Sequence, residues 1–390
     1  MKLWIIRVHA LAILAVFYFL KPIAILFKRH KKKKIFMFCE RGYDAQDNAF
    51  VLFDYLLDDE EFVCKYLITK NGSRRASIRK NDQIKFGSIK HLFYLNYCDA
   101  IVSTHYMLFI PCDISTDKKT KLFKLDSKII FLQHGIAENF LPSLAYPACK
   151  VDVFSCTARA EYEYILNNYN HPSGVVKQIG MARFDKLFEY KKDPESFTFK
   201  TILIMPTWRI WIDGKIRFEE TEYYKQWSSL LASSEFLSFL KDSNLKARFV
   251  LHSQFRSHTA QFKKFESAFV EVIDSTENPG ATVQNLLIES DALITDYSSV
   301  AFDFAFMNKP VFYFGFDSSM FFSNHYKPGF FNYEKDGFGP FVDNLENLLD
   351  SLEGFDYKTW ESTYKNRVSH FFEGVDGHCC ERYKEILKNL

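Results

Sequence analysis

Residues 291–304 read Asp291-Ala-Leu-Ile-Thr-Asp-Tyr-Ser-Ser-Val-Ala-Phe-Asp-Phe304. Ala292 to Thr295 has the length and apolar character of a short buried strand, Asp296-Tyr297-Ser298-Ser299 is a polar turn, and a helix follows from Val300. Such a helix start offers free backbone N–H groups, two hydroxyls and the positive end of a macrodipole, which together suit a phosphate. The plainer reading of the same residues is that Ser298 or Asp296 caps the helix.

Working outward, the same alternation recurs along the chain. Strands are predicted at Ile35–Cys39, Phe62–Ile68, Ala100–Ser103, Lys128–Gln133 and Val151–Cys156, with helical patterns between them, such as Ala158–Asn168. After a charged, Pro-containing stretch at 191–196 the pattern restarts. Its strands are Thr201–Met205, Arg248–His252, Val270–Ile273, Ala292–Thr295 and Val311–Phe314. Strand–helix alternation argues for parallel sheets covered on both faces. The expected class is therefore α/β: two Rossmann-like domains facing a cleft, with ligands beyond the carboxyl ends of the strands. The predicted divisions are 1–34, 35–190, 197–356 and a helical segment at 357–390 that packs back across the domains.

Composition narrows the function. Lys+Arg total 50 against Asp+Glu 48, which leaves no broad basic surface for nucleic acid. The eight cysteines include the adjacent pair Cys379-Cys380 but no C-x-x-C, so neither a zinc site nor a disulfide framework is indicated. The run from Trp4 to Phe27 is largely apolar and leads into Lys28-Arg-His-Lys-Lys-Lys-Lys34. It predicts a membrane-associating helix, spanning or interfacial, whose basic cluster meets anionic lipid on the cytoplasmic face.

Polar clusters follow several predicted strands. They are Gln133-His134-Gly135, Gly180-Met-Ala-Arg183-Phe-Asp185, Pro206-Thr-Trp-Arg209, His252-Ser-Gln-Phe-Arg256, and the opening stretch. A histidine at a strand end can serve as general base, and an arginine can hold phosphate through its fork, although either can equally be structural.

In this order the clusters resemble the CDP-glycerol glycerophosphotransferase family, the polymerases and primases of teichoic acid and related capsule polymers. The similarity runs from about Ile35 to the C-terminus. It is sharpest at Gly180–Asp185, Pro206–Arg209 and Leu293–Pro310, and Asp376-Gly377 with Arg382 resembles the family's closing motif. The family pattern has Trp before the His-Gly and a Thr-Pro-Leu-Lys-like run after it. This chain has Gln133 and Ile136-Ala-Glu-Asn139 instead, a departure that bears on the acceptor.

The resemblance implies a GT-B type fold and transfer of glycerol phosphate or ribitol phosphate from a CDP-alcohol. The acceptor would be a hydroxyl of a lipid-linked or growing surface polymer, and CMP would be released. It places His134, His252 and Arg209 in catalysis. Thr295, Asp296, Ser298, Ser299, Asp303, Arg183 and Arg256 fall on the donor, and Gly135, Asp47 and Asn48 on the acceptor side. No cofactor is required by this reading, and Mg²⁺ carried by the diphosphate donor stays open. Two alternatives remain at this point: a GT-B glycosyltransferase using a nucleotide sugar, and a non-catalytic membrane-anchored assembly protein.

Overall fold

Short apolar runs buried on both faces are what the strands of a covered parallel sheet require. The computed structural model describes residues 2–72, 74–192, 195, 197–274 and 282–390, with side chains described from Val8 onward. Part of the expected linker at 191–196 therefore lies outside the described residues.

The first sheet contains β1 (Lys34–Cys39), β2 (Phe62–Ile68), β3 (Gln83–Lys85), β4 (Ala100–Ser103), β5 (Lys128–Phe131), β6 (Val153–Cys156) and β7 (Val176–Gln178). The second contains β8 (Thr201–Ile204), β9 (Lys246–Phe249), β10 (Val270–Val272), β11 (Ala292–Thr295), β12 (Val311–Phe314) and β13 (Phe341–Val342). The spatial orders are β3-β2-β1-β4-β5-β6-β7 and β10-β9-β8-β11-β12-β13, and every pairing is parallel. Strand order reverses beside β1 and β4 in the first sheet, and beside β8 and β11 in the second. In open α/β sheets that reversal is where ligands bind.

The chain divides into two compact units. One comprises Met1–Ile136, Pro142–Lys186 and Gly374–Leu390; the other comprises Ala137–Leu141 and Leu187–Glu373. The closing segment expected at 357–390 is thus shared, with its last helix, Cys379–Lys388, in the first unit. That helix explains two of the motifs. Asp185 Oδ1 and Oδ2 accept the N–H groups of Cys379 and Cys380, both at 2.7 Å, and Tyr383 donates to the Gly180 carbonyl at 2.9 Å. Gly180 has φ +91°, and a Cβ there would lie 2.4 Å from Cys379 Sγ, so only glycine fits. Arg382 holds the Ile179 carbonyl and Asp376. The Gly180–Asp185 and Asp376–Arg382 motifs therefore anchor this helix.

The N-terminal helix spans Lys2–Arg29, and its segment Val8–Arg29 has mean hydropathy 2.3, long and apolar enough to cross a membrane. One of its faces packs on the first unit. Phe17 is fully buried against Phe123, with ring centroids 5.2 Å apart, and Tyr18 donates to the Leu122 carbonyl at 2.8 Å. Lys28 reaches the Asp126 carbonyl at 3.1 Å, and Lys31 pairs with Asp99. The opposite face exposes Val8, Leu11, Phe19, Ile23 and Leu26, spaced three or four residues apart or in multiples of a turn.

Candidate active site

In the first unit the register brings three strand ends together. Ser103 of β4 sits opposite Cys39 of β1 and Phe131 of β5, so the residues that follow each strand emerge side by side. These residues include Arg41, His105 and His134. His134 follows Gln133, whose φ of +57° marks a strained backbone position held from several sides. Gln133 Nε2 donates to the Ser155 carbonyl at 2.7 Å and to Glu161 at 2.9 Å, while its own carbonyl accepts from Asn48 at 2.9 Å. The glutamine that departs from the family pattern thus fixes the backbone leading into His134.

Arg183 Nη1 donates to the His134 carbonyl at 2.7 Å and to Asp47 at 2.9 Å. His134 is exposed to solvent at the end of this cluster. Desolvation first, then Arg41 and Arg183, lowers its pKa to about 4, although the residue's exposure to water relieves part of that effect. His134 is therefore an unprotonated imidazole at neutral pH, as a general base must be. Beneath the loop, buried Glu40 accepts the N–H groups of Gln46, Asp47 and Phe50; burial, then Asp47, pushes its pKa up.

The structure shows where four of the expected site residues lie in this unit. Arg183, expected on the donor, belongs to the His134 cluster, where it is 7% exposed and tied to Asp47. Asn48, expected to meet the acceptor, is fully buried, with its amide bound to the Gln133 carbonyl and the Arg183 N–H. Asp47 binds the Asn48 N–H at the start of the helix Asn48–Leu56, and Gly135 is buried beside His134.

In the second unit Arg209 is fully buried and every guanidinium nitrogen is engaged. Nε and Nη2 grip Asp317 at 2.7 and 2.9 Å, Nη2 also bonds Asp296 at 2.8 Å, and Nη1 donates to the Thr207 carbonyl at 2.6 Å. Burial opposes its charge, but Asp296 and Asp317 outweigh it and its pKa is raised. Arg209 is therefore not a free phosphate clamp; it braces the two strand ends. Asp296 shapes the turn, since its Oδ1 accepts from Thr207 N–H at 2.9 Å and from Tyr297 N–H at 2.7 Å. Burial raises its pKa and Arg209 opposes that rise.

Thr295 also leaves the donor set, because its buried hydroxyl donates to the Met205 carbonyl at 2.7 Å. Asp303, expected on the donor, is 1% exposed and engaged within the protein. Ser298 and Ser299 do stand half-buried ahead of the helix Val300–Phe306. Ser299 at the cap position makes no side-chain capping bond, and Ser298 Oγ accepts the Val300 N–H only at 3.5 Å, a weak contact. Capping therefore leaves these hydroxyls able to bind a ligand. His252 accepts the Gln254 N–H through Nδ1 and lies parallel to Trp208 at 6.2 Å, and Arg256 is exposed. Among the described residues no group of three or more His, Cys, Asp or Glu is arranged to hold a metal ion.

The profile of the family described as CDP-Glycerol:Poly(glycerophosphate) glycerophosphotransferase matches residues 21–388. The chain belongs to that family. The minor teichoic acid biosynthesis protein GgaB of Bacillus subtilis (strain 168) is 29% identical over 381 residues, covering 93% of this chain and 41% of GgaB. This chain therefore spans about two fifths of that relative's length. A teichoic acid poly(glycerol phosphate) polymerase of Bacillus spizizenii is 21% identical, covering 85% of each protein. Among solved structures, the wall teichoic acid polymerase TagF superposes with a TM-score of 0.66 at 18% identity, over 92% of this chain and 89% of that one. The fold is thus the GT-B type: two Rossmann-like α/β units preceded by an apolar helix.

Sequence reasoning missed Arg41, His105 and Asp317. Each follows a strand within a few residues, the same signal that singled out His134.

Proposed function

We propose that this family member transfers a polyol phosphate, glycerol phosphate foremost, from a CDP-alcohol to a hydroxyl of a lipid-linked or growing surface polymer. The observation that carries the reading is His134, a solvent-exposed, unprotonated imidazole at the strand ends of a glycerophosphotransferase-family chain. His134 takes the proton from the acceptor hydroxyl. The oxygen then bonds to the phosphorus that bears the polyol, the bridging P–O bond of the diphosphate breaks, and CMP leaves with the bridging oxygen. Phosphoryl transfer of this kind depends on positioning and charge stabilisation more than on covalent chemistry. Ser298 and Ser299 hydroxyls, with Arg256 and His252, are the groups proposed to meet the donor phosphates. TagF has been soaked with CDPG as a histidine variant, which supports the choice of donor.

The reading also places the chain on a membrane surface rather than across it. The face carrying Phe17 is committed to protein, while Leu11 (65% exposed), Phe19 (72%) and Leu26 (57%) form the apolar stripe. Exposed Arg29, Lys32 and Lys33 follow directly. A helix with one face packed, one apolar and a basic end suits the interface of an anionic bilayer, and we place that surface on the cytoplasmic side. No resident metal enters this mechanism, so turnover should survive EDTA; a loss restored by Mg²⁺ would make the donor's counter-ion part of it.

The test is to incubate purified protein and an acceptor with a panel of CDP-alcohols and nucleotide sugars, scoring the nucleotide released. CMP with transferred phosphate supports the proposal, while a nucleoside diphosphate with transferred sugar would replace it by glycosyl transfer.

A further inference from the structure

His105 lies next to His134 because β4 and β5 are adjacent and end in register, with Ser103 opposite Phe131. Its placement is fixed from several sides. Ser103 Oγ donates to the His105 carbonyl at 2.9 Å and accepts its N–H at 3.2 Å. Arg41 Nε–H donates to His105 Nε2 at 3.2 Å, and Nδ1 lies 2.9 Å from Thr104 Oγ1. An arginine can only donate, so Nε2 must accept; the ring proton is thereby assigned to Nδ1 and is donated to Thr104. The His105 ring lies over that of His134 with centroids 4.8 Å apart and 22° between planes.

We propose that Arg41 and His105 form a positioning pair for His134, in which Arg41 locks His105 as a neutral tautomer whose flat face sets the plane of the His134 ring. This rests on the reading of His134 as the base. A ring on a strained, surface-open loop would otherwise rotate about its side-chain torsions. Proton abstraction requires one nitrogen to be held toward the acceptor oxygen, and misplacement near 1 Å costs on the order of 100-fold. A protonated His105 would repel the imidazolium that forms as His134 takes the proton, so a partner fixed as neutral serves this geometry.

The charged and titratable groups facing His134 are Arg41 after β1, His105 after β4, Arg183 from the helix Arg183–Phe188, and Asp47 paired with Arg183. Burial lowers the His105 pKa well below its ordinary value, and His134 and Arg41 lower it further. Arg41 thus acts on both rings: by a hydrogen bond on one and by its charge on the other.

Two measurements separate this role from ordinary packing. The first is nitrogen-15 NMR titration of histidine-labelled protein, which reads tautomer and protonation without catalysis. His105 should show a proton on Nδ1 and no titration in the ordinary histidine range, and Arg41→Ala should raise the His134 midpoint, with Arg41→Lys in between. The second is steady-state kinetics. His105→Ala should lower kcat on the order of 10- to 100-fold with little change in the donor KM, and His105→Phe, which restores the flat face, should recover most of that loss. The proposal is overturned by an Nε2 proton on His105, by an unmoved His134 midpoint in Arg41→Ala, or by unchanged kcat in His105→Ala. A loss of kcat that His105→Phe does not recover, accompanied by a fall in melting temperature, would assign His105 to packing and overturn it as well. If His134→Ala keeps full turnover, the base reading fails by itself, while the NMR result still decides whether the pair sets the His134 ring.

Discussion

Replacing Arg209 with alanine tests whether this residue braces the fold or binds the donor. The side chain is fully buried, and its guanidinium bonds both Asp296 and Asp317 as well as the Thr207 carbonyl. Truncation would leave two carboxylates near apolar rings such as Tyr297 and Phe321, which lie 5.1 and 5.0 Å from the guanidinium carbon. Breaking a buried ion pair by removing one partner costs about 3–5 kcal/mol. For a unit of this size each kcal/mol lowers the melting temperature by about 2–4 °C, so a fall of roughly 6–20 °C is expected. Arg209→Met should fall similarly, and adding Asp296→Asn to it should recover part of the loss by removing a stranded charge. Differential scanning calorimetry of the three variants, with donor titration at a temperature where each is folded, reads both quantities. Unchanged melting together with abolished donor binding would refute the bracing role and return Arg209 to the phosphate.

Three further outcomes follow. Fully buried His91 accepts the Gly87 N–H through Nδ1, and burial lowers its pKa to about 3. The unfolded chain takes up a proton below about pH 6.5 that the native protein refuses, so this stability is present above that pH and lost as pH falls. The loss is about 1.4 kcal/mol per unit. Urea midpoints at pH 7 and pH 5 should therefore converge in His91→Asn, and an unaltered pH dependence would contradict this. Ser298→Ala with Ser299→Ala should weaken CDP-alcohol binding in calorimetry at least several-fold with little change in melting, since neither hydroxyl makes a strong internal bond; an unmoved dissociation constant would remove the phosphate seat. Phe19→Glu with Leu26→Glu should abolish sedimentation with vesicles containing anionic phosphatidylglycerol. Replacing Arg29, Lys32 and Lys33 by Gln should weaken it by about 100-fold, from roughly 1 kcal/mol per charge. Retention by pure phosphatidylcholine after both changes would argue for a spanning helix.

The two-sheet architecture was legible because its central strands are apolar runs bounded by polar turns. β2, β4, β11 and β12 begin and end where the residue pattern places them. The edge strands β3, β7 and β13, of three, three and two residues, were missed because so short a run carries little periodicity, whereas the equally short edge strand β10 was found within the apolar run Val270–Ile273. β9 lies at Lys246–Phe249 rather than 248–252, because Val250 and Leu251 are buried outside the strand and His252 already opens a 3-10 turn. In the site, chemistry was readable one strand end at a time, which found His134 and the Asp296–Ser299 turn. What was hidden is lateral. Arg41 and His105 join His134 only through the order β1-β4-β5, and Arg209 is tied down by Asp317, 108 residues away. A sequence shows that an arginine follows a strand; it does not show whether its fork is already occupied.

The most direct test of the account compares CMP release by the wild-type protein and by His134→Ala, each given CDP-glycerol and a lipid-linked acceptor. A general base contributes about 100- to 10,000-fold, so the variant should release CMP at least 100-fold more slowly with an unchanged melting temperature and donor affinity. Turnover within a few-fold of wild type in a folded His134→Ala protein would contradict the central claim.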